Sequence, residues 1–153
     1  MISKNMRTRG FEIVSVYADQ DIHVPERKTS NSAGYDLEAA EDITVWPSEI
    51  VVVPTGLKAY MGSNEYLSIF IRSSLAFTKG LMLANNTGII DSDYYNNPDN
   101  EGHLMIGMYN AGTSPVYIKK GERVAQGIFM KYLTCDNDCA SGKRVGGIGS
   151  TGE

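Results

Sequence analysis

Short apolar stretches, each closed by turn residues, run the length of the chain. They predict strands at residues 13–17, 43–45, 50–53, 57–60, 66–71, 81–83, 89–90, 104–109, 116–118 and 123–130. The Val, Ile, Tyr and Phe in these segments suit a pleated, half-buried surface. They recur roughly every 8–12 residues with turn signals between them, which predicts an all-β sandwich or barrel. No long stretch carries the helical period of about 3.6 residues. One short helix is predicted at residues 73–77, with Ser73 or Ser74 as its cap.

The two ends depart from this pattern. Residues 1–10 read as frayed, and they lack the apolar segment of a secretory signal. From Gly142 to Gly152, five of eleven residues are glycine. Such a segment cannot build a core, because glycine loses the most backbone entropy on ordering. It can instead bring backbone N–H groups close to anionic oxygens. The organisation predicted is therefore one domain over residues 1–141 and a mobile tail over 142–153. A chain of 153 residues is long enough for one core without staples.

Charge narrows the partners. The formal net charge of −4 leaves no broad basic face for nucleic acid. A phosphate ligand would have to be met by a few placed cations. No apolar run reaches the ~20 residues that cross a bilayer, so a cytoplasmic protein is expected. Cys135 and Cys139 have no second pair of ligands in sequence to complete a zinc site, and they read as reduced thiols in a polar loop.

Four groups could carry chemistry. Asp91 follows the apolar pair Ile89-Ile90 at a strand end, where a carboxylate could orient and deprotonate a water. Arg72-Ser73-Ser74 sets a guanidinium beside two hydroxyls at a helix start, a compact phosphate cradle. Asn85-Asn86 offers amide donors and acceptors of the kind that read a base edge. The glycine-rich tail is the fourth. Taken singly, each is as readily a plain turn, a cap or a loose terminus.

Their order and spacing resemble the five motifs of the dUTPase family. Ala33-Gly34-Tyr35-Asp36-Leu37 is similar to the first and Arg72-Ser73-Ser74-Leu75-Ala76 to the second. Asn85 through Tyr94, with Gly88-Ile89-Ile90-Asp91-Ser92-Asp93-Tyr94 at its end, is similar to the third. Gly121-Glu122-Arg123-Val124-Ala125-Gln126 and Gly146-Gly147-Ile148-Gly149-Ser150-Thr151-Gly152 are similar to the fourth and fifth. The resemblance implies a jelly-roll-like β-barrel that assembles as a homotrimer, with the tail of one chain closing over a neighbour's site. It implies a dUTP diphosphatase that cuts dUTP to dUMP and pyrophosphate with Mg²⁺. That activity limits uracil in DNA and supplies dUMP for dTMP synthesis.

Residue by residue, the resemblance makes Asp91 the carboxylate that activates water for in-line attack on the α-phosphorus. Tyr94 lies under the deoxyribose, and Asn85 with a tight hairpin reads the uracil edge and excludes the thymine methyl. Ile89, Ile90 and Met105 line the nucleoside pocket. Arg72, Ser73, Ser74 and Gln126 hold phosphates. Asp36 touches the magnesium only through water, with no direct protein ligand. Arg144, or its neighbour Lys143, reaches the γ-phosphate, and Ile148, Ser150 and Thr151 belong to the lid.

Two departures stand out. Ile148 occupies a position where the family usually has a Phe that stacks on the uracil. Residues 95–102 make a longer turn than usual after Tyr94. The runner-up within enzymes is a dCTP deaminase-type relative, which Ile90-Asp91-Ser92-Asp93-Tyr94 argues against. A rival from another class is a phage-type member whose second role is to bind a regulatory protein.

Overall fold

The computed structural model describes residues 6–149 together with 151–152. Eleven strands are found among these residues: β1 (Gly10–Ile13), β2 (Tyr35–Glu38), β3 (Ile43–Val45), β4 (Ile50–Pro54), β5 (Leu57–Tyr60), β6 (Glu65–Ile71), β7 (Leu81–Leu83), β8 (Gly88–Asp91), β9 (Met105–Asn110), β10 (Val116–Ile118) and β11 (Arg123–Lys131). One α-helix, α1 (Ser73–Lys79), separates β6 from β7. Every strand pair is antiparallel. A four-stranded sheet runs β2-β11-β6-β8 and a three-stranded sheet runs β4-β9-β7. The pairs β1-β5 and β10-β3 complete the jelly-roll-like barrel.

Alternation decides which side chains enter the core. Along β9, Ile106, Met108 and Asn110 are buried while Met105, Gly107 and Tyr109 face outward. Along β4, Val51 and Val53 turn in and Ile50 and Val52 turn out. Leu37, Leu57, Leu67, Leu81 and Leu104, from five different segments, are almost wholly buried in one cluster. The buried Asn110 is satisfied on both sides of its amide. Its Nδ2 donates to the carbonyls of Val45 (2.8 Å) and Ser114 (2.9 Å), and its Oδ1 accepts the Gly112 N–H at 2.9 Å. This ties the end of β9 to β3 and the approach to β10.

Four expectations are corrected. The strand expected at 13–17 is instead β1, ending at Ile13, followed by a 3-10 turn over Ser15–Tyr17. The Ser15 N–H and hydroxyl both bond the Glu101 carboxylate, which pulls the chain out of the sheet. The segment before Gly10 is not all frayed: Arg9 pairs with Glu65 at 3.0 Å, and the Arg7 guanidinium lies 4.0 Å from the centre of the Tyr60 ring. Residues 1–5 lie outside the described part. Helix α1 is capped by Arg72, not by Ser73 or Ser74, and no side-chain bond closes its start. Its end follows the usual rule, with Gly80 in the left-handed region at φ 68°. Finally, β2 had no counterpart in the sequence reading, because Tyr35-Asp36-Leu37-Glu38 presents only Leu37 to the core and sets carboxylates outward.

No helix among the described residues is long and apolar enough to cross a membrane.

Candidate active site

A cavity of about 530 Å³ opens between the two larger sheets. One wall is the outward face of β4 and β9, with Ile50, Val52, Met105 and Gly107. The opposite wall is β8 and the turn before it, with Asn85, Gly88, Ile89, Ile90 and Asp91. Strand β8 is held against β6 by register pairs from Ile69–Gly88 to Tyr66–Asp91. A Cβ on Gly88 would come within 3.1 Å of the Ile69 Cβ, so glycine lets β8 close on β6 at the pocket's back. The apolar walls, the few polar groups and the size suit a small organic ligand.

The turn at 84–87 differs from the expected hairpin. Strands β7 and β8 are not paired with each other; they lie in different sheets, and the turn carries the chain between them. Asn86 sits in the left-handed region at φ 62°, and the Thr87 N–H bonds the Asn85 carbonyl at 2.7 Å. Asn85 faces the cavity.

Asp91 closes β8 and starts the 3-10 turn that carries Tyr94. The backbone therefore places an exposed carboxylate at the cavity mouth and a buried ring three residues later. The Tyr94 hydroxyl donates to the His103 carbonyl at 2.6 Å and accepts from Asn100 Nδ2 at 2.9 Å. Burial pushes its acidity to higher pH than an ordinary phenol. The His103 ring Nε2 accepts the Gly56 N–H at 2.9 Å, so its other nitrogen carries the proton. Burial also depresses the His103 pKa.

The tail meets the same cavity. Arg144 places its guanidinium on both carboxylates of the turn, 2.5 Å from Asp91 Oδ2 and 2.7 Å from Asp93 Oδ1. Its side chain is only 11% exposed, whereas Lys143 is exposed. Gly147, Ile148, Gly149 and Thr151 line the rim. Ile148 is at that rim but 88% exposed. Ser150 lies outside the described residues. The tail thus rests on its own chain's pocket.

The remaining site residues gather elsewhere. Asp36 on β2 faces Arg123 at 3.3 Å and Arg72 at 3.6 Å. The Arg72 Nη1 also donates to the Arg123 carbonyl at 3.4 Å. Ser73 and Ser74 are exposed in the first turn of α1. Gln126 stands opposite Asp36 in the β11–β2 register, and a Cβ on Gly34 would meet its Oε1 at 2.5 Å. Two guanidinium groups thus lie around the Asp36 carboxylate, with Gln126 across the β11–β2 register and Ser73 and Ser74 next along the chain from Arg72. Arg72 and Asp91 flank opposite ends of β6, while Ile69, near the strand's end, also lines the cavity. Asp91 pairs with Tyr66 near the start of that strand, and Arg72 follows its last residue. Six residues of extended chain separate them by ~20 Å.

The sequence reading did not single out Arg123, Asp93, Asp99 or Asn100. Arg123 stands in the fourth motif, three residues before Gln126, and the register shift between Arg123 and Ala125 that alters strand alternation here has no signal in the spacing. The other three belong to segments whose Asx-type turns carry little signal of their own. Among the described residues, no three His, Cys, Asp or Glu side chains are grouped to cage a metal.

A family model described as dUTPase matches residues 20–152. The chain is 53% identical over 149 residues to the deoxyuridine 5'-triphosphate nucleotidohydrolase of Lactococcus lactis, covering 96% of this chain and 99% of that one. It is 35% identical over 151 residues to the enzyme of the same name from Desulfitobacterium hafniense, covering 92% and 95%. Among solved structures, the dUTPase of Streptococcus mutans superposes with a TM-score of 0.79 at 48% identity, covering 84% of this chain and 99% of that one. A dUTPase from a Staphylococcus aureus phage, described with a structural Mg(II) ion, reaches a TM-score of 0.73 over 89% and 98%. At 20% identity that likeness concerns the fold alone.

Proposed function

The chain belongs to the dUTPase family and cuts dUTP to dUMP and pyrophosphate; within that activity we propose that Asp91 holds and deprotonates the attacking water. The observation that carries this is the strand-to-turn unit from Gly88 to Tyr94. It sets an exposed carboxylate at the mouth of an apolar cavity and a fixed aromatic ring beneath it. The uracil would enter between Asn85, with the 84–87 backbone, and the apolar wall of Ile89, Ile90 and Met105. The Tyr94 ring would face the deoxyribose and leave no room for a 2′-hydroxyl. A carboxylate near neutral pH is a competent base for a water aligned with the α-phosphorus. The rival deaminase reading is set aside by the family match over most of the chain.

The cradle of Arg72, Ser73, Ser74, Gln126 and Arg123 suits the triphosphate. Asp91 and Arg72 stand at opposite ends of β6, which favours a site shared between chains. A neighbouring copy in a homotrimer would supply the cradle. In that assembly the tail would make on a neighbour's site the contacts it makes here, with Arg144 passing from Asp91 to the γ-phosphate. The fold's oxygen donors suit Mg²⁺, a hard ion that keeps much of its water. Asp36, beside the cradle, would hold it through water, and the ion would neutralise charge on the phosphates.

The test is Asp91→Asn. It should still bind dUTP whose α,β-bridging oxygen is replaced by NH, and lose ~10²–10⁴-fold in turnover. Turnover near that of the native chain would overturn the assignment. A parallel run with dCTP, dTTP and UTP should show dUTP as the preferred substrate.

A further inference from the structure

The long turn at 95–102 has no part in the chemistry just described, yet it is among the most tightly bonded surfaces of the molecule. Lys58, its side chain only 10% exposed, donates to Asn96 Oδ1 at 2.6 Å and Glu101 Oε1 at 2.7 Å. Glu101 also accepts the N–H and hydroxyl of Ser15, at 2.9 and 2.8 Å. The buried Asn97 uses both ends of its amide. Its Oδ1 accepts the N–H groups of Asp99 and Asn100, and its Nδ2 donates to the Tyr94 carbonyl and Asn100 Oδ1. Gly102 lies at φ 89°, where a Cβ would stand 2.7 Å from the Tyr94 carbonyl oxygen. The loop is therefore held in one shape before any ligand arrives.

Two groups on this rigid loop point at the active site. Asn100 Nδ2 donates to the Tyr94 hydroxyl, the ring assigned to the sugar. Asp99 Oδ2 accepts the Gly147 N–H from the tail at 3.3 Å. In a tail that is otherwise mostly exposed, Gly146 and Gly147 are buried. A Cβ on Gly147 would come 2.9 Å from Asn100 Nδ2 and 3.4 Å from Asp99 Oδ2. The tail backbone thus meets the loop where only glycine fits without displacement.

We propose that the 95–102 loop is the docking cradle of the tail, with Asp99 receiving the Gly147 N–H and Asn100 fixing the Tyr94 hydroxyl. Both are positioning residues: one places the lid, the other places the ring under the sugar, and a shared rigid loop keeps the two in register. Because the cradle is already ordered, only the tail loses entropy on closing. The cradle acts in this way whether the tail comes from the same chain or from a neighbour. The inference rests on the reading of the cavity as the nucleotide site.

The experiment is limited trypsin digestion, since Lys143 and Arg144 place scissile bonds within the tail. Full-length protein is digested with and without the α,β-imido analogue of dUTP. The native tail should be protected by the analogue. Asp99→Ala should lose about five-fold of that protection and raise KM with kcat little changed, the loss of one hydrogen bond. Asp99→Asn retains an acceptor oxygen and should restore both. Asn100→Asp, which removes the donor to Tyr94, should lower the preference for dUTP over UTP. If the native tail gains no protection, the nucleotide-site reading fails and the cradle with it. If the native tail is protected and Asp99→Ala is protected equally, the cradle alone is refuted.

Discussion

At the scale of single residues, the Arg144 guanidinium rests on the carboxylate proposed to hold the attacking water. Arg144 contacts Asp91 and Asp93 through two different nitrogens, and both carboxylates remain more than half exposed. Ion pairs with such exposed partners are worth little, on the order of 0–1 kcal/mol. A phosphate offers the same guanidinium a stronger, bidentate partner. On the proposed reading, the contact would hold Arg144 beside the site and release it to a phosphate at small cost. Arg144→Ala should raise KM for dUTP by ~10–100-fold, the range for a lost hydrogen bond to a charged group. Arg144→Lys should recover only part of this, because an ammonium lacks the fork. Unchanged steady-state kinetics in Arg144→Ala would remove the residue from phosphate binding. The sequence left Arg144 and Lys143 open as alternatives. In the fold the Arg144 side chain is largely buried against Asp91 and Asp93 while Lys143 is exposed.

At the scale of elements, the acid response of the 95–102 loop is open to measurement. The Lys58 ammonium and the Ser15 N–H hold the Glu101 carboxyl down at about 2, from an ordinary 4.5. A depressed carboxyl contributes stability that is whole above pH 4.5 and is lost as pH falls toward 2. The His103 pKa is also depressed, so its contribution is whole above its ordinary 6.5 and is lost as pH drops below that. Glu101→Gln should therefore melt below the native protein at pH 7, with the two melting temperatures converging as pH falls from 4.5 to 2. A constant gap across that window would show that Glu101 does not carry the loop's acid sensitivity. None of this was legible in the sequence, where the stretch read only as an overlong turn. What alternation governs was legible: residues 43–45, 57–60, 81–83 and 116–118 form strands at the expected bounds. What distant partners decide was not. Glu101 ends β1 early through Ser15, and β11 recruits the polar β2 across a register shift between Arg123 and Ala125. The motif residues were individually visible, but where each one lies along β6 depends on strand pairing that spacing alone does not show.

That placement makes its strongest demand on the whole molecule. Exposed Ile50, Val52 and Ile89 line the cavity and Met82 lies beside them, an apolar surface that a lone chain would leave wet. Arg72 and Asp91 sit ~20 Å apart along one strand, a distance set by backbone rise and not by side-chain choice. Association answers both if a neighbour closes over the rim of this cavity and brings its Arg72 there. Light scattering should then give three times the chain mass of 16.7 kDa. Complementation tests the shared site more directly. Asp91→Asn chains lack a working cavity and Arg72→Ala chains lack a working cradle, and each should be nearly inactive alone. In mixed trimers a site works when an Arg72→Ala chain supplies the cavity and an Asp91→Asn chain supplies the cradle. With random assembly in a closed ring of head-to-tail contacts, about one site in four meets that condition. Coexpressed chains should thus recover about a quarter of native activity. A site built within one chain predicts no recovery, since every chain carries one of the two defects. Both variants keep their tails, so the outcome reports only on how cavity and cradle are shared, and activity no greater than the sum of the separate variants would place them in one chain.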